Sequence, residues 1–193
     1  QISWIITLNV LATAIATPLT GSLVSLFGRR FVLIFCSASF TLATLACGMC
    51  ESLESLIFFR ILQGAVGAPL VPLSQATLLQ SYPRDMHARV NAIYGMSVVV
   101  GPALAPSLGG YLSEMYDWRW VFFMMVPLGL LATLGNLKYV KDDGKQVGSR
   151  FDYLGFTLFS LAIICLQLVL DRGEREDWLD SIYITSLLTF MAI

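Results

Sequence analysis

Apolar residues fall in long blocks rather than in alternation. The blocks cover residues 4–24, 31–49, 56–79, 90–112, 120–140 and 153–170, and a seventh begins near Ile182. About 20 apolar residues cross a ~30 Å hydrocarbon core as a helix, so each complete block predicts one membrane span. The intervening stretches are short and hold nearly all the charges. Backbone groups inside lipid must be satisfied within the segment, so the predicted fold class is an all-α polytopic membrane protein with tight connections.

Composition agrees: 56% of the 193 residues are hydrophobic and 13% charged, with a mean hydropathy of +0.73. Soluble domains carry roughly 25% charged residues. Residues 1–4 lack the basic region and cleavage site of a signal peptide, so the first block reads as a retained span. The chain opens on Gln1 rather than Met and stops inside an apolar run, which reads as a fragment of a longer transporter-sized protein.

The net charge of -1 says less than its distribution. Arg29, Arg30, Arg84, Arg89, Lys138, Lys141, Lys145 and Arg150 follow the first, third and fifth spans and make up eight of the twelve Lys and Arg. The other side has Arg119, Arg172 and Arg175 among a larger number of acids, including Glu51, Glu54, Glu114 and Asp117. The positive-inside rule makes the loops at 25–30, 82–89 and 138–152 cytoplasmic. Gln1 then lies outside, so a first helix is expected to precede it.

The third span carries a polar and small stripe on one helical face: Arg60, Gln63, Gly64, Gly67, Val71, Ser74, Gln75 and Leu78. An arginine at the bilayer centre costs about 2.5–3.5 kcal/mol on insertion scales, so this face should meet protein or a water-filled cavity. The competing reading, Arg60 snorkelling to the outer surface, explains neither Gln63 nor Gln75. Pro69 and Pro72 predict a kink near mid-span. On the first span Asn9, Thr13, Ala16, Thr17 and Thr20 share a face. Membrane threonines often bond back to their own helix, so Asn9 alone joins Gln63, Ser74 and Gln75 as a candidate cavity residue.

The fourth span holds Gly95, Gly101, Pro102, Ala105, Pro106, Gly109 and Gly110. Small residues allow close helix approach, and two prolines four apart are expected to bend the helix. Tight packing alone explains this composition as well as a rocking surface does. A Pro-x-x-Gly at residues 18–21 and another at 106–109 form a faint repeat three helices apart, a spacing found in transporters. Cys47 and Cys50 form a Cys-x-x-Cys, read as packing rather than as a redox or metal pair, since the only histidine, His87, lies on the other side.

Walker, dinucleotide and zinc patterns are absent, and a lone histidine argues against a Ser/His/Asp site. An enzyme is not expected, nor is a cofactor or a bound metal. The basic residues are loop charges rather than a patch, which leaves nucleic-acid binding unsupported.

These residues together resemble the major facilitator superfamily, and within it the fourteen-helix drug:proton antiporters of the EmrB/QacA type. The likeness runs over essentially the whole chain, as helices two to seven and the start of eight. "GSLVSLFGRR", residues 21–30, resembles the family's Gly-x-Leu-Ala-Asp-Arg-x-Gly-Arg-Lys loop through Gly21, Leu23, Gly28, Arg29 and Arg30, with Ser25 in place of the aspartate and Leu26 in place of the arginine. "RILQGAVG" is similar to the Arg-x-x-x-Gln-Gly motif or its close variants through Arg60, Gln63 and Gly64. "GPALAPSLGG" is similar to the antiporter motif Gly-x-x-x-Gly-Pro-x-x-Gly-Gly, with Gly101, Pro106, Gly109 and Gly110 kept and Pro102 beside them. "WRWVFFMMVPLG", residues 118–129, and "LQLVLDRGEREDWLDS", residues 166–181, resemble branch-specific segments.

The resemblance implies that residues 1–140 form most of an N-terminal six-helix half lacking its first helix. Residues 141–152 would be a cytoplasmic loop, 153–193 an extra linker helix and the start of the next, and the C-terminal half would be absent. It implies a multi-pass protein of the bacterial plasma (inner) membrane that exports small lipophilic substrates in exchange for protons by alternating access. Arg60 is the expected proton-coupling residue. Arginine stays charged below about pH 12 and cannot carry the proton, so its use is as a fixed cation acting on a nearby carboxylate. No Asp or Glu lies mid-span here, and the resemblance places the acid in the preceding helix. Partners would be the bilayer, substrates and protons, with a periplasmic adaptor and an outer-membrane channel if the host has an outer membrane. Export of a native metabolite such as a siderophore, fatty acid or amino acid stays open, as do a nontransporting scaffold or sensor and a truncated product without activity.

Overall fold

A computed structural model describes residues 2–141 and 153–172. Its helices are α1 (Ile2–Ala16), α2 (Leu19–Phe27), α3 (Arg29–Met49), α4 (Leu53–Gly67), α5 (Leu70–Ser81), α6 (His87–Met115), α7 (Arg119–Tyr139) and α8 (Tyr153–Arg172), with a 3-10 turn at Arg84–Met86 before α6. No strand occurs among the described residues. The seventh apolar run and the loop at 142–152 lie outside them.

Prolines and one glycine decide where the apolar blocks divide. The first block is two helices, α1 and α2, bent by 53° at Thr17–Pro18. Pro18 has no N–H and its ring clashes with the preceding turn. The Thr17 amide and hydroxyl both donate to the Thr13 carbonyl, at 3.0 and 2.7 Å, which closes the last turn of α1. Gly28 turns the chain from α2 into α3 with φ 84°, a conformation that L side chains rarely adopt.

The third block also divides, into α4 and α5, at Ala68 and Pro69. Both residues keep right-handed helical angles, so Leu53–Ser81 still forms one 29-residue span. Ser52 caps α4 by accepting from the Ser55 amide at 3.2 Å. The bend expected at Pro102 and Pro106 does not break the fourth span: α6 is helical through both.

Among the described residues four helices can cross a membrane by length and composition, or five if the bent α1–α2 pair is one span. α3 is the centre of the bundle and packs mainly on α7 and α4, while α1 packs on α4 and touches α8. α6 reaches the rest chiefly through α5 and α7. Lipid gives helices no hydrophobic reason to associate, so close contact of small residues has to supply it. Gly48 of α3 lies under the Phe123 ring of α7, where a Cβ would sit 2.7 Å from a ring carbon. Gly129 of α7 gives the same room to the Thr41 side chain.

The buried hydroxyls of Ser37, Thr41 and Thr44 donate to carbonyls of their own helix at 3.1, 2.7 and 2.7 Å. They therefore add little polarity to the α3 core. Cys36 packs with Val32, Leu33 and Leu73, and all four cysteines are buried free thiols. Large apolar side chains such as Phe31, Phe35, Leu42, Leu128 and Leu131 cover outer faces.

The charged ends tie helices together. Arg30 donates to the Leu137 carbonyl at 3.0 Å, and Arg29 donates to the Gln80 side chain. At the other end Arg119 donates to the Cys50 carbonyl at 2.9 Å and pairs with Asp117 at 3.5 Å.

Gly129→Val should lower the melting temperature of the detergent-solubilised protein, with a stability loss of about 1–3 kcal/mol from overpacking. Gly135→Val is the control, because a Cβ there meets nothing within 4 Å. Equal melting for the two variants would show that the α3–α7 contact is not limiting.

Candidate functional site

α4 turns Arg60, Gln63, Gly64 and Gly67 toward a cavity of about 370 Å³ between α1, α3, α4 and α7. The helical pitch brings these positions to one side, and glycines let two neighbours come close. At Gly64 a Cβ would strike the Asn9 carbonyl oxygen and lie 3.0 Å from the Thr13 hydroxyl. At Gly67 it would lie 2.9 Å from the Phe40 ring.

Asn9 uses this closeness by donating from Nδ2 to the Arg60 carbonyl at 2.6 Å. The Thr13 hydroxyl contacts two carbonyls, its own helix's Asn9 at 2.9 Å and Gly64 across the interface at 3.2 Å. α1 is thereby fastened to the backbone of α4 at the arginine and one turn beyond it.

Arg60 is half-buried, and its guanidinium lines the cavity. Its Cζ is 4.6 Å from the centroid of the Phe122 ring, the buried aromatic of α7. Nη1 donates to Gln63 Oε1 at 3.3 Å. Gln63 is buried, and its Nε2 donates to the Thr44 hydroxyl of α3 at 2.7 Å. Arg60 Nε is buried without a hydrogen-bond acceptor among the described residues. Among the described residues no carboxylate pairs with Arg60; the ion pair there joins Arg119 and Asp117. A desolvated cation over an aromatic face gains about 2 kcal/mol, comparable to the insertion cost of the charge. Such a site can hold a fixed positive charge in an apolar, partly polar-lined space.

The remaining sequence candidates lie elsewhere. Ser74 and Gln75 do not line this cavity. Ser74 Oγ meets the Tyr94 hydroxyl of α6 at 3.1 Å, and Gln75 Nε2 donates to Asn91 Oδ1 of α6 at 3.3 Å. Gly28, Arg29 and Arg30 stand at the α2–α3 turn, and Gly21 is exposed on α2. On α6, Pro102 and Pro106 lie inside the helix and are exposed, and a Cβ at Gly101, Gly109 or Gly110 would meet nothing within 4 Å.

Sequence reasoning missed Phe122 and Thr44 and passed over Thr13. Thr13 shares its face with Asn9, and Thr44 continues a 37, 41, 44 hydroxyl row, so both left a periodic trace. Phe122 left none, because its partner lies on another helix.

A family model described as Major Facilitator Superfamily matches residues 1–193. The chain belongs to that superfamily. As a member it is a multi-pass membrane protein with transporter relatives. It is 40% identical to the multidrug export protein EmrB of Escherichia coli (strain K12) over 100% of this chain and 38% of that protein. The fatty acid resistance protein FarB of Neisseria gonorrhoeae is 40% identical over 94% of this chain and 36% of its own length. Multidrug resistance protein 3 of Bacillus subtilis (strain 168) is 26% identical over 100% of this chain and 38% of its own length. The chain thus spans little more than a third of these relatives.

Thr44→Val removes the acceptor of the buried Gln63 amide and should destabilise the solubilised protein by about 1 kcal/mol. Thr133→Val should cost less, since that hydroxyl donates only to its own helix at Gly129. Differential scanning fluorimetry of the two variants checks the ranking.

Proposed function

We propose that the chain is part of a secondary active exporter that moves lipophilic drugs outward in exchange for protons by alternating access. The observation that carries this reading is the Arg60 guanidinium held in an intramembrane cavity by Phe122 and Gln63, with Asn9 fixed on its carbonyl. A fixed cation there favours the ionised form of a nearby carboxylate and stops doing so when helix rocking separates them. In this reading the carboxylate belongs to the helix that precedes α1 in the family's plan. The export name of a relative at 40% identity supports the outward direction.

The same reading makes residues 1–140 most of an N-terminal half, 141–152 a cytoplasmic loop and 153–193 linker helices. The membrane is the bacterial inner membrane, with the loops at 25–30, 82–89 and 138–152 cytoplasmic. Asn9 and Gln63 would meet substrate. Ser74 and Gln75 would act where α5 meets α6, and the glycine and proline motifs at 21–30 and 101–110 where helices shift. Catalysis is no part of this mechanism. A periplasmic adaptor and an outer-membrane channel would complete the path in a two-membrane host.

A second reading, export of fatty acids, is favoured by the FarB relative. Ethidium and oleate separate the two: the transported class should drive proton release from proteoliposomes holding the full-length protein, and the other should not.

Arg60→Ala in the full-length protein should abolish proton-linked efflux from everted vesicles while membrane insertion stays normal. Unchanged efflux would contradict the coupling role.

A further inference from the structure

We propose that Phe122 is a positioning residue for proton coupling: its ring face fixes where the Arg60 guanidinium stands in the cavity. This rests on the coupling role just given to Arg60.

Few other groups among the described residues fix that position. The Cζ–centroid distance is 4.6 Å, whereas the side-chain hydrogen bond from Nη1 to Gln63 Oε1 is 3.3 Å and therefore long. Nε is buried without an acceptor among the described residues. The Asn9 bond holds the Arg60 backbone carbonyl and leaves the side chain to turn. Phe122 is itself well held: it is the buried residue of α7, and the Trp118 ring meets it edge-on at 6.0 Å between centroids. A fixed ring on one helix and a long flexible cation on another give the cation a defined place.

The charged and titratable surroundings are sparse. Residues 2–16 of α1 contain no titratable side chain. α3 brings the Cys47 thiol within electrostatic reach of Arg60. On α7, Arg119 is engaged with the Cys50 carbonyl and Asp117. On α4 itself Glu54 sits in the exposed first turn. The ring is therefore the strongest restraint on the guanidinium among the described residues. A loosened cation pulls less on the carboxylate it serves, so protons would be held to higher pH.

The test replaces Phe122 with mono-, di- and trifluorophenylalanine in the full-length protein, which weakens the ring's negative face at nearly constant shape. Two readouts are taken. Melting temperature should fall stepwise with fluorine in the native background and stay flat in Arg60→Gln. The pH midpoint of proton release, driven by ethidium or oleate, should rise with fluorine, on the order of half a unit at the trifluoro ring.

Equal melting losses in both backgrounds overturn the proposal whatever transport does. So does a pH midpoint that stays put or falls while the melting series responds, because the contact would then be structural only. The Arg60→Ala efflux result uses no fluorinated residue and decides the coupling reading separately.

Discussion

Burying one guanidinium in an apolar bundle is the constraint that the rest of this structure answers. A charge at that depth costs several kcal/mol unless it is given partners. Phe122 supplies a ring face, Gln63 a carbonyl oxygen, and Thr44 an acceptor that holds Gln63 in place. Each comes from a different helix, so the arginine joins α3, α4 and α7 into one unit. Asn9 and Thr13 add α1 by binding the carbonyls of Arg60 and Gly64.

Glycine makes this arrangement possible. α1 can reach the α4 backbone only because Gly64 has no side chain, and Phe40 fits beside Gly67 for the same reason. Gly48 and Gly129 do the same between α3 and α7, which brings Phe122 to its place. Packing and site are thus one set of contacts. α6 is organised differently: its glycines meet no neighbour among the described residues, and it joins the bundle mainly at α5 and α7.

The spans were legible because lipid imposes a simple rule on length and polarity. The run read at 31–49 is α3 at Arg29–Met49, and that read at 120–140 is α7 at Arg119–Tyr139. The polar stripe was legible as a list but not as a surface. A fixed helical pitch puts Arg60 and Gln75 on one face, yet the part of that face before Ala68 meets α1, α3 and α7, and Ser74 and Gln75, after Pro69, meet α6. The 53° bend at Pro18 and the pairing of Arg60 with Phe122 depend on neighbouring helices, and periodicity within one segment carries no such information.

The central claim is that Arg60 is an intramembrane cation positioned by Phe122 for a carboxylate partner. The most direct measurement is a cryo-electron microscopy structure of the full-length protein in lipid nanodiscs, read at that side chain. The account predicts the guanidinium inside the cavity, with the Phe122 ring against Cζ and a carboxylate on its hydrogen-bonding edge. A guanidinium turned out to the lipid headgroups, with no carboxylate near it and the ring packed against other side chains, would contradict it.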